Sequence, residues 1–193
     1  MRRSLFVAVV FVAGCLGPQQ DPSAYFLLSP APAPVQVAPA QVVLGLGPVT
    51  IPGYLDRPQI VTRLSDNEIA LAEADRWAEP LGGHITRTLE ESLARLLPGS
   101  SYVDYPWFAS EAPDFAITLE VRRFEADVNG DVVLDATWRL IQDGSVVAGR
   151  AACIDETASG LGQRAAVAAQ SRALAELSSE LAAAVRQAWT PLP

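Results

Sequence analysis

An α+β fold, with a two-layer arrangement of a mostly antiparallel sheet and two long helices packed on one face, is predicted by three features of the sequence. From Phe115 to Ile154 apolar and polar residues alternate, and Asn129-Gly130 and Asp143-Gly144 interrupt the alternation as tight turns would. Two other stretches, Leu81 to Leu97 and Gln163 to Trp189, repeat apolar residues every three or four positions. That period belongs to helices with one buried stripe. One apolar sheet face and two striped helices bury the most surface when both helices cover the same side.

The elements follow in order. Tyr25-Phe26-Leu27-Leu28 reads as a first strand, and Pro30, Pro32, Pro34 and Pro39 then make an extended connector without a core of its own. Val42 to Val49 is a β-branched and leucine-rich strand that ends at Pro52-Gly53, where one residue has fixed φ and the next has free φ. Arg57-Pro58 biases Arg57 away from helix. Gln59 to Leu64 and Glu68 to Ala72 alternate on either side of Asp66-Asn67, predicting a hairpin over 59–72. Pro80 stands where a helix can start. Leu81, Ile85, Leu89, Leu93 and Leu96 or Leu97 line one face of it, and Pro98-Gly99 stops it. The pairs Arg87/Glu91 and Glu91/Arg95 add roughly 0.2–0.5 kcal/mol each. Ser101 to Tyr105 is a brief strand, followed by an irregular segment to Pro113. Phe115, Ile117, Leu119 and Val121 then open an antiparallel meander that continues through Val132 to Ile141 and Ser145 to Ile154. After Gly160 and Gly162, an alanine-rich helix carries Leu174, Leu177, Leu181, Val185 and Trp189 as its stripe.

The chain begins Met1-Arg2-Arg3, then runs apolar from Ser4 to Ala13 and reaches Gly14-Cys15. The apolar run has the length of a secretory leader and falls short of the ~20 residues a spanning helix needs. Val12-Ala13-Gly14-Cys15 has the form of a bacterial lipobox, so residues 1–14 are expected to be a lipoprotein signal peptide and Cys15 the acylated residue. At about 0.8 kcal/mol per buried CH₂, several acyl chains would hold the protein on a membrane essentially permanently. Residues 15–23 form a tether, with Gly17 to Ser23 spanning at most about 30 Å. Residues 24–193 are expected to form a single α+β domain. With Cys15 acylated, Cys153 has no intramolecular disulfide partner, and it is expected to be a small buried strand residue.

Composition excludes several classes of function. All 14 basic residues are arginine and two lie in the leader, leaving 12 against 22 acidic residues. Nucleic acids and anionic surfaces select clustered cations, which this chain lacks. His84 is the only histidine, so neither a zinc-type ligand set nor a triad beyond His84 can be assembled; no metal and no cofactor are expected. Gly160-Leu161-Gly162 lacks the remainder of a dinucleotide fingerprint, and without lysine there is no phosphate loop. The carboxylates Asp66, Glu68, Glu73, Asp75 and Glu79 are dense enough to raise an acid/base pair as an alternative. Tyr54, Trp77, Trp107 and Trp138 read as core, or, where exposed, as contact anchors.

The pattern VxIPxYLDRPQIV, a strand pair and then RWAEPL opening a helix resembles the PqiC (YmbA) family of auxiliary lipoproteins of bacterial intermembrane transport systems. The likeness runs from about Tyr25 to the C-terminus and rests on the joint spacing of Pro52, Tyr54, Leu55, Trp77, Pro80 and Leu81. Asp56-Arg57 within it either form a local ion pair that fixes the corner or face a partner. The resemblance implies a non-enzymatic subunit of an MCE-type lipid transport system, docking an MCE-domain periplasmic protein and its transporter at the outer membrane. Leu16, where an aspartate would mark retention at the inner membrane, implies the outer membrane's periplasmic face. Family members tend to form homo-oligomeric rings. Pro52, Tyr54, Leu55, Asp56, Arg57, Trp77 and Pro80 are the candidate partner-contact residues, and Cys15 the lipidation site. A lipid-binding periplasmic module and a carboxylate-dependent hydrolase are the alternatives.

Overall fold

A computed structural model describes residues 22–34 and 41–189. The expected leader, Cys15 and Pro39 lie outside the described residues. The strands are β1 (Ala24–Phe26), β2 (Val43–Thr50), β3 (Gln59–Ser65), β4 (Glu68–Trp77), β5 (Ser101–Asp104), β6 (Phe115–Asp127), β7 (Val132–Gln142) and β8 (Ser145–Glu156). The helices are α1 (Leu81–Leu96) and α2 (Gln163–Ala188), with a single 3-10 turn at Ala109–Glu111.

One eight-stranded sheet results, and it forks at β6. One edge of β6 pairs antiparallel with β7, and β7 with β8. The other edge is shared: Phe115 to Glu120 pair in parallel with β2, which carries β5, while Ala126 and Asp127 pair in parallel with β3. β3 then pairs antiparallel with β4, and β4 in parallel with β1. The antiparallel β6–β7 and β7–β8 ladders hold the longest runs of paired residues; β3–β4 is a shorter antiparallel ladder, and the four short parallel pairings make the sheet mixed.

A register shift between Val121 and Arg123 changes which residues of β6 face inward. Before it Phe115, Ile117, Leu119 and Val121 are buried; after it Phe124 and Ala126 are. An extra residue in one strand reverses facing in this way. Asp143-Gly144 turns β7 into β8 with φ of 49° and 75°, the paired left-handed conformation of a tight hairpin turn.

Both helices lie on one face. α2 packs over β6, β7 and β8, α1 over β2, and the two helices pack on each other. Leu81, Ile85, Leu89, Leu93 and Leu97 of the first stripe and Leu174, Leu177, Leu181 and Val185 of the second are all buried. Each such side chain contributes about 1.5–3 kcal/mol by leaving water. Buried Ala166, Ala169, Ala173 and Ala182 leave α2 without bulk on the same side, which permits its close approach. Ser92 and Ser178 are buried as well, and each hydroxyl donates to the carbonyl four residues earlier, Thr88 O at 2.6 Å and Leu174 O at 2.6 Å. Gln170 reaches from α2 to the sheet and donates to Phe124 O at 2.8 Å, just past the shift in β6.

Three expectations are corrected. Cys153 is exposed, because the alternation of β8 turns its neighbours Ala152 and Ile154 inward and leaves the thiol on the opposite face. The first strand stops at Phe26, and the expected second strand of the hairpin extends to Trp77. The described part of the proline-containing connector is no bare loop: Leu28 and Ala31 are buried in the core. Its backbone is held by helix side chains, Ser29 N–H donating to Ser171 Oγ at 3.0 Å, Ala31 N–H to Ser92 Oγ at 2.9 Å, and Arg95 donating to Ala31 O at 2.9 Å. A segment that cannot pair with a strand satisfies its buried polar groups through these side chains.

Candidate functional site

The corner after β2 places the residues singled out from the sequence. Pro52 O accepts the Leu55 N–H at 2.9 Å and Leu55 O the Arg57 N–H at 2.8 Å, so successive turns carry the chain towards β3. The Trp77 N–H donates to Pro58 O at 2.7 Å and closes the end of β4 onto this corner. Leu55 and Trp77 are buried. Tyr54 turns inward too, donating to Glu125 Oε2 at 2.7 Å.

Glu125 is a buried carboxylate, 1% exposed, and it collects donors. Besides Tyr54 it accepts Arg63 Nε at 2.5 Å, Arg123 Nε at 3.0 Å and the Phe124 N–H at 3.1 Å. Burial raises its pKa, but the hydrogen bonds from Arg63, Tyr54 and Arg123 outweigh burial and hold it below the ordinary carboxylate value. Burial, reinforced by the carboxylate, pushes the Tyr54 hydroxyl up to about 12. Tyr54 and Glu125 therefore knit the corner to β6.

His84, in the first turn of α1, is wholly buried with its ring edge-on to Trp77 at 5.8 Å. Its Nε2 accepts the Leu28 N–H at 2.9 Å, which makes the imidazole a clamp on the connector. Burial holds its pKa below the ordinary histidine value against the pull of Glu79, whose Oε1 lies 3.5 Å from Nε2. Glu79 itself is held low by Arg87, which also donates to Glu91 at 2.7 Å.

Two adjoining concavities lie beside this corner. A pocket of about 330 Å³ is lined by Asp56, Arg57, Pro58, Trp77, Glu79 and Pro80. A longer groove of about 680 Å³ runs between β2 and α1, past Val49, Ile51, Gly83, Glu90, Asp104 and Tyr105, and shares Asp56 and Pro80 with the pocket. The fold thus brings Asp56, Arg57 and Pro80 to one concave surface backed by the buried Trp77, buries Leu55 and turns the half-buried Tyr54 towards Glu125, while the Pro52 carbonyl fixes the bend. No ion pair joins Asp56 and Arg57; backbone hydrogen bonds set the corner and Asp56 is exposed. Of the carboxylates considered for an acid/base pair, Glu79 is committed to Arg87.

Sequence reading missed Glu125, Glu90, Asp104 and the glycine pair of α1 as parts of the site. Uninterrupted alternation from Phe115 would put residue 125 on the inward side, but the register shift gives that side to Phe124 and Ala126; Glu125 is buried instead by its donors on the corner and β3, which the local sequence does not show.

On the opposite face of the sheet, the segment after β5 folds over β2. A Cβ on Gly45 would lie 2.6 Å from the Trp107 ring, so glycine permits this close approach. Trp107 is half-buried there, edge-on to Tyr105 at 5.3 Å, and Phe108 is 74% exposed.

Architecture defines the class first. The chain shares its fold with a solved structure from Xanthomonas campestris, at a TM-score of 0.70 and 21% identity over 86% of this chain and 98% of that one. It shares it also with a further solved, uncharacterized protein, at a TM-score of 0.72 and 22% identity over 84% and 98%. Residues 25–182 match the family described as ABC-type transport auxiliary lipoprotein component, and the chain belongs to that family of membrane-associated transport lipoproteins. Its relatives include the intermembrane transport lipoprotein PqiC of Escherichia coli (strain K12), 27% identical over 143 residues, which are 73% of this chain and 74% of that protein. The PqiC of Shigella flexneri matches to the same extent.

Proposed function

We propose that this protein is a non-enzymatic lipoprotein on the periplasmic face of the outer membrane, acting as the auxiliary subunit of an MCE-type intermembrane lipid transport system. Acylated Cys15 supplies the foot, residues 15–23 the short tether, and residues 24–193 the domain that docks an MCE-domain protein and, through it, the transporter. A homo-oligomeric ring around the end of that partner is the assembly the resemblance implies. The observation carrying this reading is the match of residues 25–182 to the transport auxiliary family, supported by the concave surface that Asp56, Arg57, Trp77 and Pro80 share. The lipid-binding alternative is disfavoured by the space between helices and sheet, which is filled by the side chains of Leu89, Leu93, Phe115, Leu134 and Leu174, all 0% exposed.

The test is crosslinked capture of the full-length, membrane-anchored protein followed by mass spectrometry. Recovery of an MCE-domain subunit in stoichiometric amount is expected. Recovery of the chain alone would remove the docking role.

A further inference from the structure

Three reversals of the chain stand together at one end of the sheet. β3 runs parallel to β6, with Arg63 opposite Asp127, so the β3–β4 turn at Asp66-Asn67 lies beside the β6–β7 turn at residues 128–131. The loop from β8 to α2 closes on the second of these: the Ala158 N–H donates to Asp131 Oδ1 at 3.0 Å, and a Cβ on Gly130 would lie 3.0 Å from the Ala158 Cβ. At each reversal an apolar side chain meets solvent, Leu64 at 43%, Val128 at 62% and Leu161 at 90% exposed. No other large apolar side chain among the described residues is as exposed as Leu161, which stands between Gly160 and Gly162. Single exposures scattered over a surface are ordinary, but three on adjoining reversals form an apolar tip.

What covers that tip follows from where the tether enters. β1 is parallel to β4 and β4 antiparallel to β3, so β1 runs away from these reversals and receives the chain from their side. Asp75, the register partner of Ala24, lines a depression of about 300 Å³ together with Val128, Gly130 and Gly162. The nine residues from Cys15 to Ala24 reach at most about 30 Å. That reach keeps this end against the bilayer an acylated Cys15 occupies. Asp66, Glu68, Asp127 and Asp131 outnumber Arg164 there, and Arg63 is taken by Glu125, so the tip suits a zwitterionic phospholipid surface and repels an anionic one.

We propose that this end of the domain is a second membrane contact: Val128 and Leu161, rimmed by Leu64, enter the boundary between headgroups and acyl chains of zwitterionic phospholipid and orient the domain on the bilayer. The Asp143-Gly144 turn, at the other end of β7, then points away from the membrane. This rests on the anchoring reading above. Acyl chains on Cys15 supply retention, and the apolar tip supplies orientation, setting which way the docking surface faces.

Mature acylated protein, with the exposed thiol removed by Cys153→Ser, carries a single environment-sensitive fluorophore on Ser159→Cys in one sample and on Asp143→Cys in another. Each is reconstituted into vesicles of phosphatidylethanolamine and phosphatidylcholine, with or without brominated acyl chains, and attachment is checked by flotation. Brominated lipid is expected to quench the label at 159 by about twofold or more and to leave the label at 143 unchanged. Val128→Asp combined with Leu161→Asp, two changes of exposed side chains, keeps the circular dichroism and the flotation of the parent and abolishes the quenching at 159. Quenching at 143 equal to or above that at 159, quenching at neither position, or quenching at 159 that survives both aspartates would overturn the membrane contact and leave anchoring standing. Protein recovered unacylated and unable to float would remove both.

Discussion

At Glu125 a single buried carboxylate joins three stretches of chain, with donors from the corner (Tyr54), β3 (Arg63) and β6 (Arg123). Its removal strands those donors, so Glu125→Ala is expected to cost about 3 kcal/mol in urea unfolding, and Tyr54→Phe, which loses a single hydrogen bond, about 1 kcal/mol. The tyrosine also sets an alkaline limit. Its folded pKa is raised from 10.0 to about 12, so its contribution is complete below pH 10 and is lost as pH rises through 12. The stability gap between the wild type and Tyr54→Phe should narrow across that window. His84 works at the other end. Burial lowers its folded pKa, the unfolded chain binds the proton more readily, and stability falls as pH drops below the ordinary histidine value of 6.5. His84→Gln retains an acceptor for the Leu28 N–H without a titrating ring, so its melting temperature between pH 7.5 and 5 should fall less than that of the wild type.

The elements differ in how far the sequence declares them. The two helices and the β6–β8 meander are legible because their periods and turns are local: Leu81 to Leu97 step by three and four, and Asn129-Gly130 and Asp143-Gly144 mark the reversals. The fork at β6 is not, since parallel pairing of β2 and β3 with one strand edge joins residues far apart in the chain. The docking of Leu28 and Ala31 escapes for the same reason; their partners His84, Ser92 and Arg95 lie over fifty residues away. Cys153 was misread as buried, although Ala152 and Ile154 on either side claim the inward positions. In the site, the corner and helix start could be read, whereas the groove exists only because β5 stops short of β2. Two element-scale tests follow. Leu89→Ala, at the centre of the α1 stripe, should cost 2–5 kcal/mol, about the range for a large core truncation. Gly45→Ala drives a methyl into Trp107 and should displace the covering segment, shifting tryptophan emission and costing about 1–3 kcal/mol.

On the scale of the whole molecule, the proposed function assigns anchoring to Cys15 and docking to the folded domain. The domain's stability derives from packing, with the exposed Cys153 contributing no crosslink. Anchoring and docking should therefore separate cleanly: replacing residues 1–15 by a leader that is cleaved without acylation is expected to release a folded protein into the soluble periplasmic fraction with an unchanged melting temperature. Vesicle recruitment tests the joined function most directly, using acylated protein in phospholipid vesicles, a purified MCE-domain partner and flotation through a density gradient. The account predicts that the partner floats with vesicles carrying the acylated protein and stays at the bottom with bare vesicles or with the unacylated protein. A partner that remains at the bottom in every case, or floats equally with bare vesicles, would contradict it.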